Sequence, residues 1–545
     1  MRPDFKPEGP RQAMSWLHTW SGLILGWLLF AIFLTGTLSF FHQEITAWMK
    51  PELHRSVPPP DPAQQARIAV DYLQKRHPDA GSWTIQLPNE RSNVTVVTVR
   101  GQDEDPRARR GGTRITLDSA TGEPLASRDT RGGAFLFRFH FELYGLPRIW
   151  ARWIVGVATL FMFVAIISGI ITHKKIFADF FTFRPGKGQR SWMDAHNATA
   201  VLALPFHIMI TFSGLLLLMF TIMPWGVNQV YQNRLQFLQD QARTVAPVSQ
   251  DSGRGGARRA AGAPARLADL GAIVADAGRA WQGAPIGSIS VIAPNTARAQ
   301  VEVRALHGTS VAARFSYPIL RYDGLTGARL PEHAAAPSPP AAVAVYNALI
   351  TLHEGRGVDI ALRWLLFLSG IVGSAMVASG LVLWCVKRLP QQQKRGAKSF
   401  GYRFVEAANA AAIAGLAIAC AAFFYANRLL PADMAGRADY EIHAFFIAWL
   451  AALAYACVRP ARQAWLGLLA TAGAAYAVLP VLNPLTGGRA LWDSIVLGQW
   501  AIASFDLACM AFAVLFAFIF CKLRRHGGIA ARKDARGGML AEEAA

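Results

Sequence analysis

The feature that most constrains this 545-residue chain is a series of eight apolar runs of about 20 residues, the length that an α-helix needs to cross a bilayer. Hydrophobic residues make up 52% of the chain and charged residues only 17%, against about 25% charged residues in a typical soluble protein. We therefore predict a polytopic α-helical membrane protein. The predicted spans are 17–41, 149–172, 196–223, 361–386, 404–426, 441–458, 464–482 and 497–521.

Basic residues in the short connecting segments predict the orientation, because cytoplasmic loops are enriched in Lys and Arg. Two such groups follow spans two and four, namely Lys174, Lys175, Arg184, Lys187 and Arg190, and then Lys387, Arg388, Lys394, Arg395 and Lys398. Both termini are then cytoplasmic, and the long segments face the periplasm of a bacterium, with the spans in its inner membrane. These basic loops account for a formal net charge of +20, so we expect no nucleic-acid partner.

These assignments divide the chain into eight predicted parts. They are 1–41, the N-terminus and span one; 42–148, a first periplasmic domain; 149–223, spans two and three with a basic cytoplasmic loop; 224–360, a second periplasmic domain; 361–386, span four; 387–403, a basic cytoplasmic loop; 404–521, spans five to eight; and 522–545, a cytoplasmic tail.

An internal repeat relates the first four spans. His18 in span one and His196 in span three are each followed, 18 residues later, by the glycine of a Thr-Gly or Ser-Gly pair. His140 and His353 precede spans two and four, and each is followed by an Arg-Trp pair and then by a Ser-Gly pair. From that tryptophan to that glycine is 16 residues in both copies. Equal spacings in the two halves indicate an internal duplication.

The two long segments repeat as well. Each has a helical stretch (64–76 and 267–281), an alternating strand pattern (94–99 and 299–303) and a D-x-x-T-G turn (118–122 and 323–327). Such a turn supplies a side-chain acceptor and a glycine that can adopt positive φ. We predict one small α+β domain in each segment. A stretch rich in Gly, Arg and Ala at 251–266 predicts a flexible insertion in the second domain.

Several short strings resemble a known family. They are Trp16-Leu17-His18 with Ser21-Gly22-Leu23, Phe139-His140-Phe141 with Leu143, Ser168-Gly169-Ile170-Ile171-Thr172-His173, Phe181-Thr182-Phe183-Arg184-Pro185, Asp194-Ala195-His196-Asn197 and Leu204-Pro205-Phe206-His207. Over about 11–390 the chain resembles the PepSY-associated transmembrane family of iron-regulated bacterial inner-membrane proteins, which includes siderophore-reducing members. The resemblance implies two periplasmic PepSY-like domains and a reductase of ferric siderophores that carries b-type haem.

Histidines near the ends of the spans are the candidate haem ligands and metal ligands. They are His18, His140, His173, His196, His207 and His353. Neutral imidazole is the usual axial donor of a b-type haem in a membrane. His196 and His207 are 11 residues apart, so on one helix they share a face at a separation of about 16 Å. That arrangement would allow two haems b to be stacked across the bilayer.

The pairing of these histidines stays open at this stage. The repeat supplies one matched pair of donors on the inner side, His18 with His196, and one on the outer side, His140 with His353. Spacing also permits other combinations, which are His18 or His173 with His196 below, and His140 or His353 with His207 above.

Three other polar residues are candidates. Arg152 and Arg363 occupy equivalent positions near the outer surface, where they could bind haem propionates as bidentate donors or simply reach lipid phosphates. Asp506 lies inside span eight, where an unpaired carboxylate is costly. It indicates either a proton or quinol role or a hydrogen bond from a neighbouring helix.

The resulting hypothesis is an inner-membrane dihaem electron carrier that reduces a ferric siderophore or other iron(III) chelate at the periplasmic face. We predict no catalytic nucleophile or base, because reduction to iron(II) by itself weakens the hold of hard oxygen donors. The sequence has no nucleotide-binding motif, so electrons would come from quinol or from a separate cytoplasmic reductase. Two alternatives are a haem-free regulatory, protease-inhibiting or chaperone protein anchored by the spans, and a siderophore permease.

Overall fold

A computed structural model describes residues 9–106, 111–173, 177, 180, 184–243, 263–312, 314, 317–331 and 339–542. Lys174, Lys175, Phe181 to Phe183 and most of the predicted insertion at 251–266 lie outside the described residues.

Seven described helices are long and apolar enough to cross a bilayer, and a bent pair of helices can form an eighth span. The bent pair is span one, Pro10–Ile24 with Gly26–Ser39, and the others, spans two to eight, are Arg148–Thr172, Leu204–Ile222, Ile360–Lys394, Phe400–Leu429, Arg437–Val458, Ala461–Leu485 and Trp500–Arg525. These seven or eight candidate spans are consistent with the predicted polytopic helical membrane protein.

Two of the predicted spans are broken. Span one bends by 66° at Leu25. A Cβ atom on Gly26 would lie only 2.6 Å from Leu381 Cδ2, so the missing side chain lets span four pack into the bend. Span three is preceded by helix Gln189–Leu202, and the break between them at Ala203 comes just before Pro205. Proline lacks the amide hydrogen that would continue the helix.

Between spans one and two, and again between spans three and four, the chain forms helices and three strands. Five of the helices are α1 His42–Trp48, α2 Pro62–Arg76, α3 Gly133–Glu142, α4 Leu270–Ala280 and α5 Ala341–Glu354. The strands are β1 Ser82–Gln86, β2 Thr95–Arg100, β3 Thr113–Leu117, β4 Ile286–Ile292, β5 Gln300–Ala305 and β6 Ile319–Asp323. The other helices of these segments are the 3₁₀ helix Pro51–Leu53 and the helices Pro224–Asn228 and Arg234–Arg243. A further short helix, Leu491–Val496, lies between spans seven and eight.

The six strands form one sheet in the order β3-β2-β1-β4-β5-β6, with every neighbouring pair antiparallel. The first strands of the two segments, β1 and β4, pair at its centre, with Thr84 opposite Ser290. The two segments predicted as separate domains therefore form one unit. The physical reason is that an exposed strand edge leaves backbone groups without partners, and each half supplies the edge that the other needs.

The core of this unit lies between the sheet and helices α2 and α4, which pack side by side on one face. Trp83, Ile85, Ile289 and Val291 from the two central strands are fully buried there. Arg67 of α2 binds the carboxylate of Asp269, the N-cap residue of α4, at 3.0 Å. This guanidinium holds the pKa of Asp269 below its usual range.

The two D-x-x-T-G turns have the predicted geometry. Asp118 Oδ1 accepts a hydrogen bond from the amide of Ala120 at 2.8 Å, and Gly122 has φ of +75°. In the second copy Asp323 Oδ1 accepts from the amide of Thr326 at 2.8 Å, and Gly327 has φ of +70°. The side-chain acceptor and the left-handed glycine therefore close both turns.

Several segment boundaries differ from the prediction. Span four continues as a helix to Lys394, with Pro390 inside it, so the first part of the predicted loop at 387–403 is helical. The last helix runs from Trp500 to Glu542 and takes in most of the predicted tail at 522–545. Hydropathy detects only the apolar part of a helix. Where a helix continues with polar residues, hydropathy alone therefore predicts its end too early.

We predict that the β1–β4 junction determines the stability of the outer unit. Replacing Thr84 by Pro should remove a backbone hydrogen bond inside the sheet and lower the free energy of unfolding by roughly 3 kcal/mol or more. The matched change Thr113→Pro, at the first residue of edge strand β3, should cost much less. Thermal unfolding of the two variants in detergent tests this, and equal losses would contradict a continuous central ladder.

Candidate functional site

Two histidines, one from each half of the repeat, face each other on the side of the bundle opposite the sheet. The rings of His18 in span one and His196 in helix Gln189–Leu202, just before span three, have centroids 6.1 Å apart and planes inclined by 67°. His18 Nδ1 lies 2.8 Å from the carbonyl oxygen of Ala165 in span two. His196 Nδ1 lies 2.9 Å from the carbonyl oxygen of Met376 in span four. We call this the lower pair.

A second pair lies on the sheet side of the bundle. The rings of His140 at the end of α3 and His353 near the end of α5 have centroids 6.2 Å apart and planes inclined by 44°. His140 Nδ1 lies 2.7 Å from the carbonyl oxygen of Ile32 in span one. His353 Nδ1 lies 2.8 Å from Ser213 Oγ in span three. We call this the upper pair.

The Nδ1 contacts determine which ring nitrogen is available. A carbonyl oxygen can only accept, so Nδ1 must carry the hydrogen, and Nε2 is left with its lone pair. For His353 the acceptor is Ser213 Oγ, which donates its own hydrogen to the Met209 carbonyl at 2.6 Å. Among the described residues, no hydrogen bond is made by Nε2 of any of the four imidazoles. A bare Nε2 with an anchored Nδ1–H is the arrangement of a metal-binding histidine.

The glycines of the repeat make room for these rings. A Cβ atom on Gly36 would lie 2.6 Å from the ring of His140, and one on Gly380 would lie 3.0 Å from the ring of His196. On Gly169 and Gly214 it would come within 3.2 and 3.4 Å of the rings of His18 and His353. Each repeated Ser-Gly or Thr-Gly pair therefore lies against one histidine of a neighbouring helix, a role that their spacing alone did not reveal.

The histidine pairs follow a simple rule of connection. In each half, residues 10–172 or 189–394, the anchor of a histidine belongs to the same half, as Ile32 does for His140. The ring that each histidine faces belongs to the other half, as His196 does for His18. Both pairs are therefore complete only when the two halves are packed together.

The structure does not bring His173 or His207 into contact with a second histidine ring among the described residues. His173 Nε2 accepts a hydrogen bond from Asn197 Nδ2 at 2.8 Å. His207 is 1% exposed, and its ring meets Phe33 with centroids 6.3 Å apart. Its Nε2 is buried without a hydrogen-bond partner in the described part of the chain. Of the open combinations, the geometry favours His18 with His196 in the lower pair.

The two candidate arginines bind carboxylates of the chain itself. Arg152 pairs with Glu142 at 2.6 Å. Arg363, which is 2% exposed, pairs with Glu44 at 3.4 Å and Glu90 at 3.2 Å. Arg363 therefore links span four to α1 and to the loop after β1, and both guanidiniums have structural partners.

The donor sets fit an axially ligated haem. No group of three or more His, Cys, Asp or Glu side chains that could hold a bare ion occurs among the described residues. Two imidazoles on opposite sides of one metal atom, bonded at about 2.0 Å, have ring centroids roughly 6.2 Å apart. The observed separations of 6.1 and 6.2 Å match this value. A porphyrin would supply the remaining four donors, so two imidazoles suffice.

Comparison with known proteins identifies the family of the chain. Residues 15–387 match the family described as the PepSY-associated TM region. The chain belongs to this PepSY-associated transmembrane family. A search of curated proteins found no match.

The matched PepSY-associated region contains all four paired histidines and their anchors, and it ends within span four. Spans five to eight lie beyond it. They pack against the first half through α1, where Trp48 Nε1 donates to Asp506 Oδ1 at 2.8 Å. Asn483 Nδ2 of span seven donates to Asp506 Oδ2 at 3.1 Å. The hydrogen bond from neighbouring elements, one of the two alternatives for this carboxylate, is thus present.

Arg428 and His54 make further contacts between spans five to eight and the first half. Arg428 donates to the Trp48 carbonyl and, at 2.7 Å, to Asn483 Oδ1. Its guanidinium also lies 4.0 Å above the Trp48 ring. His54 lies outside the spans, and burial lowers its pKa to about 3, so its imidazole is neutral. Its Nδ1 accepts from the amide of Arg489 at 3.1 Å.

We predict that Asp506→Ala destabilises the junction between α1 and spans seven and eight. The change leaves two buried donors, Trp48 Nε1 and Asn483 Nδ2, without an acceptor, at a cost of about 1–3 kcal/mol each. Thermal unfolding in detergent measures the loss. Asp493→Ala, an exposed residue of the short helix Leu491–Val496 before span eight, is the matched control and should change stability by less than about 0.5 kcal/mol. Equal effects of the two variants would contradict the assignment.

Proposed function

We propose that this protein is a membrane electron carrier that holds two b-type haems, one between His18 and His196 and one between His140 and His353. The observation that carries the proposal is the pair of ring separations, 6.1 and 6.2 Å, formed by imidazoles with anchored Nδ1 atoms. Haem iron held by these imidazoles would supply one-electron transfer. The chain's own contribution is to orient four Nε2 atoms within the helical bundle.

The placement of the pairs supports transfer across the bilayer. Ile32, whose carbonyl anchors His140, is 14 residues beyond His18 in span one. Fourteen residues of straight helix rise roughly 20 Å, and the bend at Leu25 shortens this distance. The two pairs therefore lie towards opposite ends of the same helical bundle, as two redox centres in series require.

The proposed substrate is a ferric siderophore on the sheet side. Siderophores hold iron(III) through hard oxygen donors, and addition of one electron gives iron(II), which those donors hold less tightly. The electron is supplied on the opposite side by a membrane quinol or by a cytoplasmic reductase protein. Basic residues near the end of span four, including Lys387, Arg388 and Lys394, support a cytoplasmic location for that side. The two halves of the sheet would correspond to the PepSY-like domains of a duplicated unit.

A siderophore permease is a second candidate, because broken helices also occur in transporters. The breaks at Leu25 and Ala203 are the observation in its favour. However, Leu381 packs against Gly26 at the first break, and Pro205 accounts for the second. Both breaks therefore have a local structural cause, so electron transfer is the better-supported function.

We predict two haems b per chain, measured by the pyridine haemochrome assay on detergent-purified protein. His196→Ala and His353→Ala should each remove about one haem, because each takes away one axial donor of a different pair. His443→Ala, an exposed histidine of span six, is the control and should retain both. A folded but colourless wild-type protein would refute the proposal, and loss of both haems from the control would show that the assay reports general damage.

We also predict that protein reduced by dithionite, with the excess removed, is rapidly reoxidised by a ferric siderophore without oxygen. The decay of the reduced α band gives the rate. The gallium(III) complex of the same siderophore cannot accept an electron under these conditions and is the control. If no ferric chelate accelerates reoxidation over this control, the protein is not a ferric reductase, although it remains a haem protein.

A further inference from the structure

A cleft of about 320 Å³ opens beside the upper pair. One wall is the segment after β5, which includes Thr309 and Arg314, together with Tyr317 before β6. The other wall is the end of α5 and the turn into span four. Gly355 and Gly357, with φ of +56° and +72°, allow the sharp turn there, and a Cβ atom on Gly357 would lie 2.8 Å from the Tyr317 hydroxyl.

The cleft is next to a proposed haem ligand. Thr351 and Glu354, which both line it, flank His353 on α5. Neighbouring residues of a helix are separated by a rise of only 1.5 Å each, so a molecule in the cleft would lie on the order of 10 Å from the imidazole. An electron acceptor bound here is thus within short reach of the upper pair.

The cleft lining combines hydrogen-bond donors with two carboxylates, Glu354 and Asp359, which already accept hydrogen bonds from Arg314 and from the Leu362 amide. Thr351 is 6% exposed, and its Oγ1 is buried without a hydrogen-bond partner in the described part of the chain. Glu354 is held by Arg314 through two contacts of 2.8 Å. Arg356 is 60% exposed and approaches Glu354 only at 3.9 Å, so its guanidinium can still donate to a ligand. Arginine recognises carboxylates through two parallel hydrogen bonds.

The size of the cleft and the residues that line it limit the class of ligand further. A volume of 320 Å³ is at the small end of the range of about 300–1,000 Å³ for ligand sites. The described lining residues include two aromatic rings, those of His307 and Tyr317, and Arg304 already covers one face of Tyr317 at 4.0 Å. The small volume therefore suits a compact, oxygen-rich anion better than a large catecholate chelate.

We propose that this cleft binds a hydroxycarboxylate chelate of iron(III), with a chelate carboxylate on Arg356 and a chelate oxygen on the Thr351 hydroxyl. The inference rests on the proposed function for its redox role, although binding itself does not. In the reaction, one electron passes from the reduced protein to iron(III), giving iron(II). No covalent bond to the chain forms, and the donor on the opposite side, a quinol or a reductase, restores the electron.

Isothermal titration of the purified haem-loaded protein with gallium(III) citrate tests the binding, because this probe is redox-inert. Arg356→Ala and Thr351→Val should each weaken binding about tenfold. Arg298→Ala, which removes an exposed arginine elsewhere on the outer unit, is the matched control and should bind as the wild type does. An unchanged haem spectrum and melting temperature verify that each variant is folded.

The gallium(III) complex of a linear tris-hydroxamate is titrated in parallel. Binding of citrate alone, lost in the two cleft variants, supports the proposal. It is overturned if the wild type does not bind gallium(III) citrate, if both variants bind it as tightly as the wild type, or if only the tris-hydroxamate responds to the substitutions. A colourless protein would defeat the haem proposal separately, since the titration does not depend on electron transfer.

Discussion

The hydrogen bond from each imidazole Nδ1 to a neighbouring helix is the contact on which the arrangement of this bundle depends. It fixes the tautomer and the orientation of the ring at once, because the acceptors are backbone carbonyls of rigid spans or a serine whose own hydrogen is committed to such a carbonyl. A polar side chain at this depth is costly without a partner, so the bond also offsets the burial of the ring. What it leaves unused is the Nε2 atom.

The outer sheet and the histidine pairs both require that the two halves of the repeat pack against each other. Each half anchors its own histidines, but the two rings of a pair come from different halves. The two halves must therefore keep a fixed position relative to each other. The antiparallel pairing of β1 with β4 and the packing of α2 on α4 do this on one side of the membrane. Within the bilayer, span four holds the two halves together, because it packs against both span one and the helix that carries His196.

Spans five to eight have a different relation to the site. They lie beyond the PepSY-associated region, and they contact the first half through Trp48 and a buried network that includes Arg428 and Asp506. Such a network is satisfied only in one arrangement of its donors and acceptors, so it holds the four additional spans in a defined position. Its polar groups lie near the ends of spans five, seven and eight, and their hydrogen bonds connect these spans to one another and to α1.

Much of this protein could be read from its sequence, because some signals are local. Apolar length determines that a helix crosses a bilayer, and Asp118 with Gly122 determines a turn, since both act through neighbouring residues. Equal spacings also singled out His18, His140, His196 and His353. The partner of each imidazole, the contact of Gly36 with His140 and the joining of β1 to β4 depend on residues far apart in the chain. Only tertiary packing decides them, because no local rule states which helix or strand edge will lie beside another.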